Sequence, residues 1–216
     1  MQEGAQGFFD DDHWASVLDR DTHRVRHVAQ MQEDIARSPR EPLTAAEREG
    51  LLLMREEEKI ARDVYMALGK RWGNIRPFSN ITGAEQAHMD AILILLQHYD
   101  LPDPAAGLAV GKFHNPELQR LHDALVQQGL RSQEEAIRVG LLIEELDIDD
   151  LQKAAKQTDK AAIHAVYAEL ERGSRNHLRA FYRWKEGMGI SYQPQHLTPE
   201  LFKRLALSPH EDCVLE

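Results

Sequence analysis

Acidic and imidazole side chains stand on helical seams that are otherwise apolar, and this constrains the chain more than any other feature. Residues 79–99 read as a helix with an apolar run at 91–96. Its seam runs Ile81, Glu85, His88, Ile92, Leu95, Tyr99. Glu85 and His88 are spaced i, i+3, so they face the same way as the apolar residues. Burying an unpaired charge there costs on the order of several kcal/mol, and a bound metal ion would offset that cost. The competing reading is a capping box, in which Thr82 opens the helix and Glu85 reaches back to its start.

Three further helices repeat the pattern. Thr44 with Glu47 makes a capping box and opens a helix that runs to about Trp72. Its seam is Leu51, Met54, Glu58, Ala61, Tyr65, Leu68. Glu58 is the inward member of the trio Glu56-Glu57-Glu58, with Glu57 second; the competing reading is a solvated charge run. Ser132 with Glu135 opens another helix, with the seam Ala136, Gly140, Glu144, Asp147, Leu151, Ala154. Here the competing reading is a solvated acidic face over 144–150. The last long helix starts after Thr158, along Ile163, Val166, Leu170, Ser174, His177, Phe181. Its stripe holds phase across Gly173, which predicts a continuous or slightly kinked helix. A lone histidine on such a stripe is more often a satisfied core residue than a ligand.

No segment alternates with period two over strand length, so the chain reads as all-α. Residues 1–43 form an N-terminal arm, weakly helical over 13–36, with His13, His23 and His27 on a face expected to be solvated. Residues 44–186 hold the four helices, and 187–216 are a C-terminal tail with a short helix near 199–207. Pro102 and Pro104 stop the second helix, and Asn115-Pro116 caps a short helix within the connection to the third. That connection is long enough to run the length of a bundle, which permits a ferritin-like four-helix bundle with one long crossover.

Together the seams supply Glu58, Glu85, His88, Glu144, Asp147 and His177. Four carboxylates neutralise two divalent cations, and one imidazole per ion completes a mixed set suited to iron or manganese, with zinc also accommodated. Net charge is −10 and no basic patch occurs, which argues against nucleic-acid binding. The single cysteine, Cys213, excludes an internal disulfide or thiolate site. The longest apolar run is too short to span a bilayer. No signal-peptide pattern opens the chain, so a cytoplasmic location is the default expectation. An exported chain whose leader had been removed would read the same.

Residues 58–65 resemble the first metal helix of rubrerythrin-type proteins, Glu85-x-x-His88 the second, and Glu144-x-x-Asp147 the paired carboxylates of the third. More closely, the blocks at 55–65 (REEEKIARDVY), 84–90 (AEQAHMD), 143–151 (IEELDIDDL) and 173–181 (GSRNHLRAF) resemble a prokaryotic ferritin-like family known only as a domain of unknown function. The resemblance covers 44–184. It implies a di-metal carboxylate centre, two iron ions in the first instance, acting on peroxide, dioxygen or ferrous iron with an external electron donor. It is compatible with a homo-oligomer. Tyr65 is then the candidate catalytic residue, to bind a ligand or carry an oxidising equivalent. One departure stands out: the usual second Glu-x-x-His has Ser174 in place of its glutamate; Asp147 is the candidate to supply that carboxylate, and if it faces solvent the site is mononuclear or half-occupied. Two other functions fit the residues: a non-enzymatic metal-binding protein, and a helical interaction module. In the latter, Arg62, Arg175 or Arg179 would neutralise the buried carboxylates.

Overall fold

A computed structural model describes residues 11–212, with side chains from residue 24 onward. The Phe8-Phe9 pair, the side chains of His13 and His23, and Cys213 lie outside the described residues. Seven helices and no strand occur among the described residues: α1 (Asp11–Arg37), α2 (Ala45–Arg71), α3 (Arg76–His98), α4 (Pro116–Gly129), α5 (Gln133–Ala155), α6 (Ala161–Gly187) and α7 (Pro199–Leu207). None is long and apolar enough to cross a membrane.

Local sequence sets the helix ends. Thr44 accepts from the Glu47 N–H and the Glu47 carboxylate accepts from the Thr44 N–H, so α2 opens on a full capping box. Ser132 and Asn115 cap α5 and α4. The Glu135 carboxylate instead accepts from Gln128 and Arg138. α3 starts at Arg76, three residues before the expected Ser79, with proline in its first turn. Thr82 is therefore inside the helix and donates to the Phe78 carbonyl at 2.6 Å, so Glu85 is not a capping residue. α6 is continuous through Gly173-Ser174, where the Ser174 hydroxyl donates to the Leu170 carbonyl at 3.1 Å.

α2, α3, α5 and α6 enclose the core. α2 packs on α3 and α5, and α6 packs on α5 and α3. The apolar interior divides into two clusters. One takes the later part of α2 (Ile60, Val64, Leu68), the start of α3 (Ile75, Phe78) and the end of α6 (Leu178, Phe181). The other takes the start of α2 (Leu51, Met54), the end of α3 (Ile92, Leu95) and the start of α6 (Ile163, Val166). This order makes α2 and α6 run one way and α3 and α5 the other. The link from α3 to α5 therefore travels the length of the assembly, through α4, which packs on α2 and α5. Burying these side chains contributes roughly 1.5–3 kcal/mol each. α1 lies across α3 and α6, and α7 packs on α6. Ile190, Leu197 and Phe202 from the C-terminal segment bury in the first cluster.

Candidate metal centre

Between the two apolar clusters lies a polar layer. α2 brings Glu58, α3 brings Glu85 and His88, α5 brings Glu144 and Asp147, and α6 brings His177; all six are buried. Glu85 is central. Its Oε2 lies 2.9 Å from His88 Nδ1 and its Oε1 lies 2.9 Å from His177 Nδ1. Glu58 Oε2 approaches His88 Nδ1 at 3.1 Å, and Glu144 Oε2 approaches His177 Nδ1 at 3.4 Å. Ligand-type atoms of Glu58, Glu85 and His88 thus gather within 4.8 Å of one another, as do those of Glu85, Glu144 and His177. The two clusters share one carboxylate. The histidine rings stack with centroids 5.5 Å apart.

Of these contacts, the one between His88 Nδ1 and Glu58 Oε2 is an aligned hydrogen bond. Both Glu85 oxygens, Glu144 Oε2 and His177 Nδ1 are buried without an aligned hydrogen-bond partner among the described residues. Their lone pairs converge on shared space, which is the disposition of ligands around cations. Orphaned buried polar atoms are costly and rare unless something absent completes them. Oxygen-rich clusters with one imidazole each suit iron, manganese or zinc. These buried groups could hold a metal.

Asp147 differs. It is buried and its Oδ2 has no partner among the described residues, but it belongs to neither tight cluster. Burial first, then the charges of Glu58, Glu144 and Glu85, raise its pKa well above the usual carboxylate range. Ser174 is buried and bonded to its own helix.

Charge crowding shows in the titration of the whole layer. Burial raises Glu58 and Glu144, and the charge of Glu85 adds to this. Burial alone would also raise Glu85, but His177 and His88 outweigh it and hold Glu85 low. The imidazoles are pulled down by burial, yet the facing carboxylates leave both above the usual histidine value. Crowded carboxylates raise one another's pKa, and a cation placed among them would relieve that crowding.

Side chains around the layer fix its members. The Tyr65 hydroxyl donates to Glu144 Oε1 at 2.6 Å and leaves Oε2 aimed at His177. Burial, then the charges of Glu144 and Glu85, push the Tyr65 pKa well up. Its ring packs with Phe78 and Phe181 at centroid distances of 5.9 and 5.4 Å. Sequence reasoning missed Gly173. A Cβ there would stand 2.6 Å from His88 Cε1, and closer to Nε2. The available signal was a helix-interior glycine one turn before His177. Glu56 and Glu57 are buried with Glu58, so the trio is not a solvated run.

The three arginines that the sequence offered as counter-ions are engaged outside the layer. Arg62 donates to Asp63 and Gln86. Arg175 and Arg179 both hold Glu211. The buried Lys59 pairs with Asp63 at 2.5 Å and donates to the Ala109 carbonyl, which ties down the 99–115 connection. His27 of the arm pairs with Glu169 at 3.0 Å.

All six residues of this layer lie within residues 47–208, which match a family described as an uncharacterized protein domain, DUF2202. The chain belongs to this family. The uncharacterized protein MJ0754 of Methanocaldococcus jannaschii is 44% identical over 181 residues, covering 84% of this chain and 97% of that protein. A crystal structure of the hypothetical protein MJ0754 from Methanococcus jannaschii superposes with a TM-score of 0.77, covering 80% of this chain and 98% of the other. α1 lies outside the segment that matches the family.

Proposed function

We propose that this family member is a di-metal carboxylate protein of ferritin-like type. Glu58, Glu85 and His88 would hold one ion, and Glu85, Glu144 and His177 the other, with Asp147 in reserve beside them. The observation that carries the reading is the carboxylate shared between two imidazole-containing clusters. The run of α2, α3, α5 and α6, with the long link between the second and third, supports the ferritin-like arrangement. The commitments of Arg62, Arg175 and Arg179 argue against the interaction-module reading, because these three guanidinium groups are held by Asp63, Gln86 and Glu211 rather than by the carboxylates of the layer.

Iron or manganese held there would pass electrons to peroxide or dioxygen, taking them from ferrous iron or from another donor, so the activity we assign is that of an oxidoreductase. The chain's own part is positioning. Tyr65 fixes one oxygen of Glu144 and so orients the other. Phe78 and Phe181 keep water from that side. Glu85 presents one oxygen to each histidine and keeps them at a fixed spacing. Without a cysteine cluster in the chain, electrons come from a separate donor.

Glu85→Ala removes a member of both clusters and should abolish metal binding and peroxide consumption together. His88→Ala should remove one ion of two, and His23→Ala none. Elemental analysis of the three purified variants checks this; equal metal in all of them would contradict the assignment.

A further inference from the structure

A cavity of about 630 Å³ lies between α1, α3 and α6. His88, Gly173 and His177 form part of its wall. Apolar side chains line much of the remainder: Val28 and Met31 from α1, Ile81, Ala84 and Ala87 from α3, and Leu170 from α6. A second cavity of about 480 Å³ shares Asn80, Ile81, Ala180 and Arg183 with the first, and continues along Trp184 and Met188. A water-sized molecule takes about 30 Å³, so peroxide or dioxygen leaves most of this space unexplained. Apolar cavities of roughly 300–1,000 Å³ with a few placed polar groups are the usual size for an organic ligand.

The charges give that ligand a direction. On the first cavity, Glu169 is held by Arg172 and His27, and Asp212 stands 3.8 Å from His210. At the second, Arg76 and Arg183 are exposed and form no ion pair among the described residues. Arg76 is also the first residue of α3, whose N-cap Ile75 supplies no side-chain acceptor. Two cations and an uncapped helix start favour a negative group at that end. The other end abuts the histidines.

We propose that the two cavities are one binding site for an anionic amphiphile, a carboxylate bearing a medium-length alkyl chain. The carboxylate sits at Arg76 and Arg183, and the chain runs along α3 and α6 toward His88 and His177. The site rests on the di-metal reading only for what the inner end of the chain meets; binding itself needs no metal. Val28 and Met31 make its outer wall an addition to the family's matched segment.

Titration calorimetry of the full chain with decanoate tests it, with metal content measured on the same samples. Wild type should bind one decanoate per chain saturably, and decanol more weakly. Arg183→Glu, on the exposed rim, and Ala180→Phe, which fills the junction of the cavities, should each weaken decanoate binding about tenfold or more, about 1.4 kcal/mol. No saturable binding by wild type, or unchanged binding by both variants, overturns the site. Binding to anionic vesicles but not to monomeric decanoate overturns it too. Metal-free wild type that binds decanoate this way supports the site while the metal centre fails. Metal-loaded wild type that does not bind decanoate leaves the centre and removes the site.

Discussion

Gly173 shows how closely the residues around the polar layer are fitted. In an ordinary helix interior, Gly→Ala stabilises by about 1 kcal/mol. Here the added methyl meets the His88 ring, which Glu58 and Glu85 hold from the other side. Overpacking of this kind typically costs about 1–3 kcal/mol, so the net effect should be destabilising. Gly173→Ala should lower the thermal midpoint and reduce the metal content of the site. A more stable variant with full metal would show that His88 has room to move. Glu58, Glu85, His88 and His177 were legible in the sequence because a seam places them relative to their own helix. That Glu85 serves both histidines was not legible, since a seam says nothing about distances between helices. The fit of Gly173 against His88 was hidden for the same reason.

At the scale of the element, the start of α2 is the best-defined helix end. Glu47 closes the capping box, and its carboxylate also accepts from Thr158 at 2.7 Å and from Lys160 at 2.9 Å. Burial works to raise its pKa, but these donors hold it at about 2, below its ordinary 4.5. A carboxylate depressed on folding contributes stability above its unfolded pKa and loses it as pH falls. Glu47→Gln should therefore cost about 1–3 kcal/mol at neutral pH. The deficit should shrink between about pH 4.5 and pH 2, as read from denaturant titrations of both proteins. A constant difference across that window would mean that the carboxylate charge is not what the Lys160 contact uses. This box was readable because its residues are local. The start of α3 was not, because Arg76-Pro77 lies in a stretch whose helicity depends on packing Ile75 and Phe78 into the core.

For the whole molecule, two apolar clusters flank a layer of buried acidic and imidazole groups. Its carboxylates are desolvated and crowded, and the nearby arginines are committed elsewhere. All-α architecture and the long link between α3 and α5 could be read from helix stops and connection length. The placement of α1 across α3 and α6 could not, because His27 and Met31 sit on a helix that is polar on average. Its docking depends on Glu169 and on a cavity edge that no local pattern records. The account stands or falls on metal stoichiometry. The decisive measurement is elemental analysis of the full chain, purified without a metal-affinity step and supplied with iron and manganese. The account predicts close to two iron or manganese ions per chain. A folded, helical protein with no bound metal would contradict it.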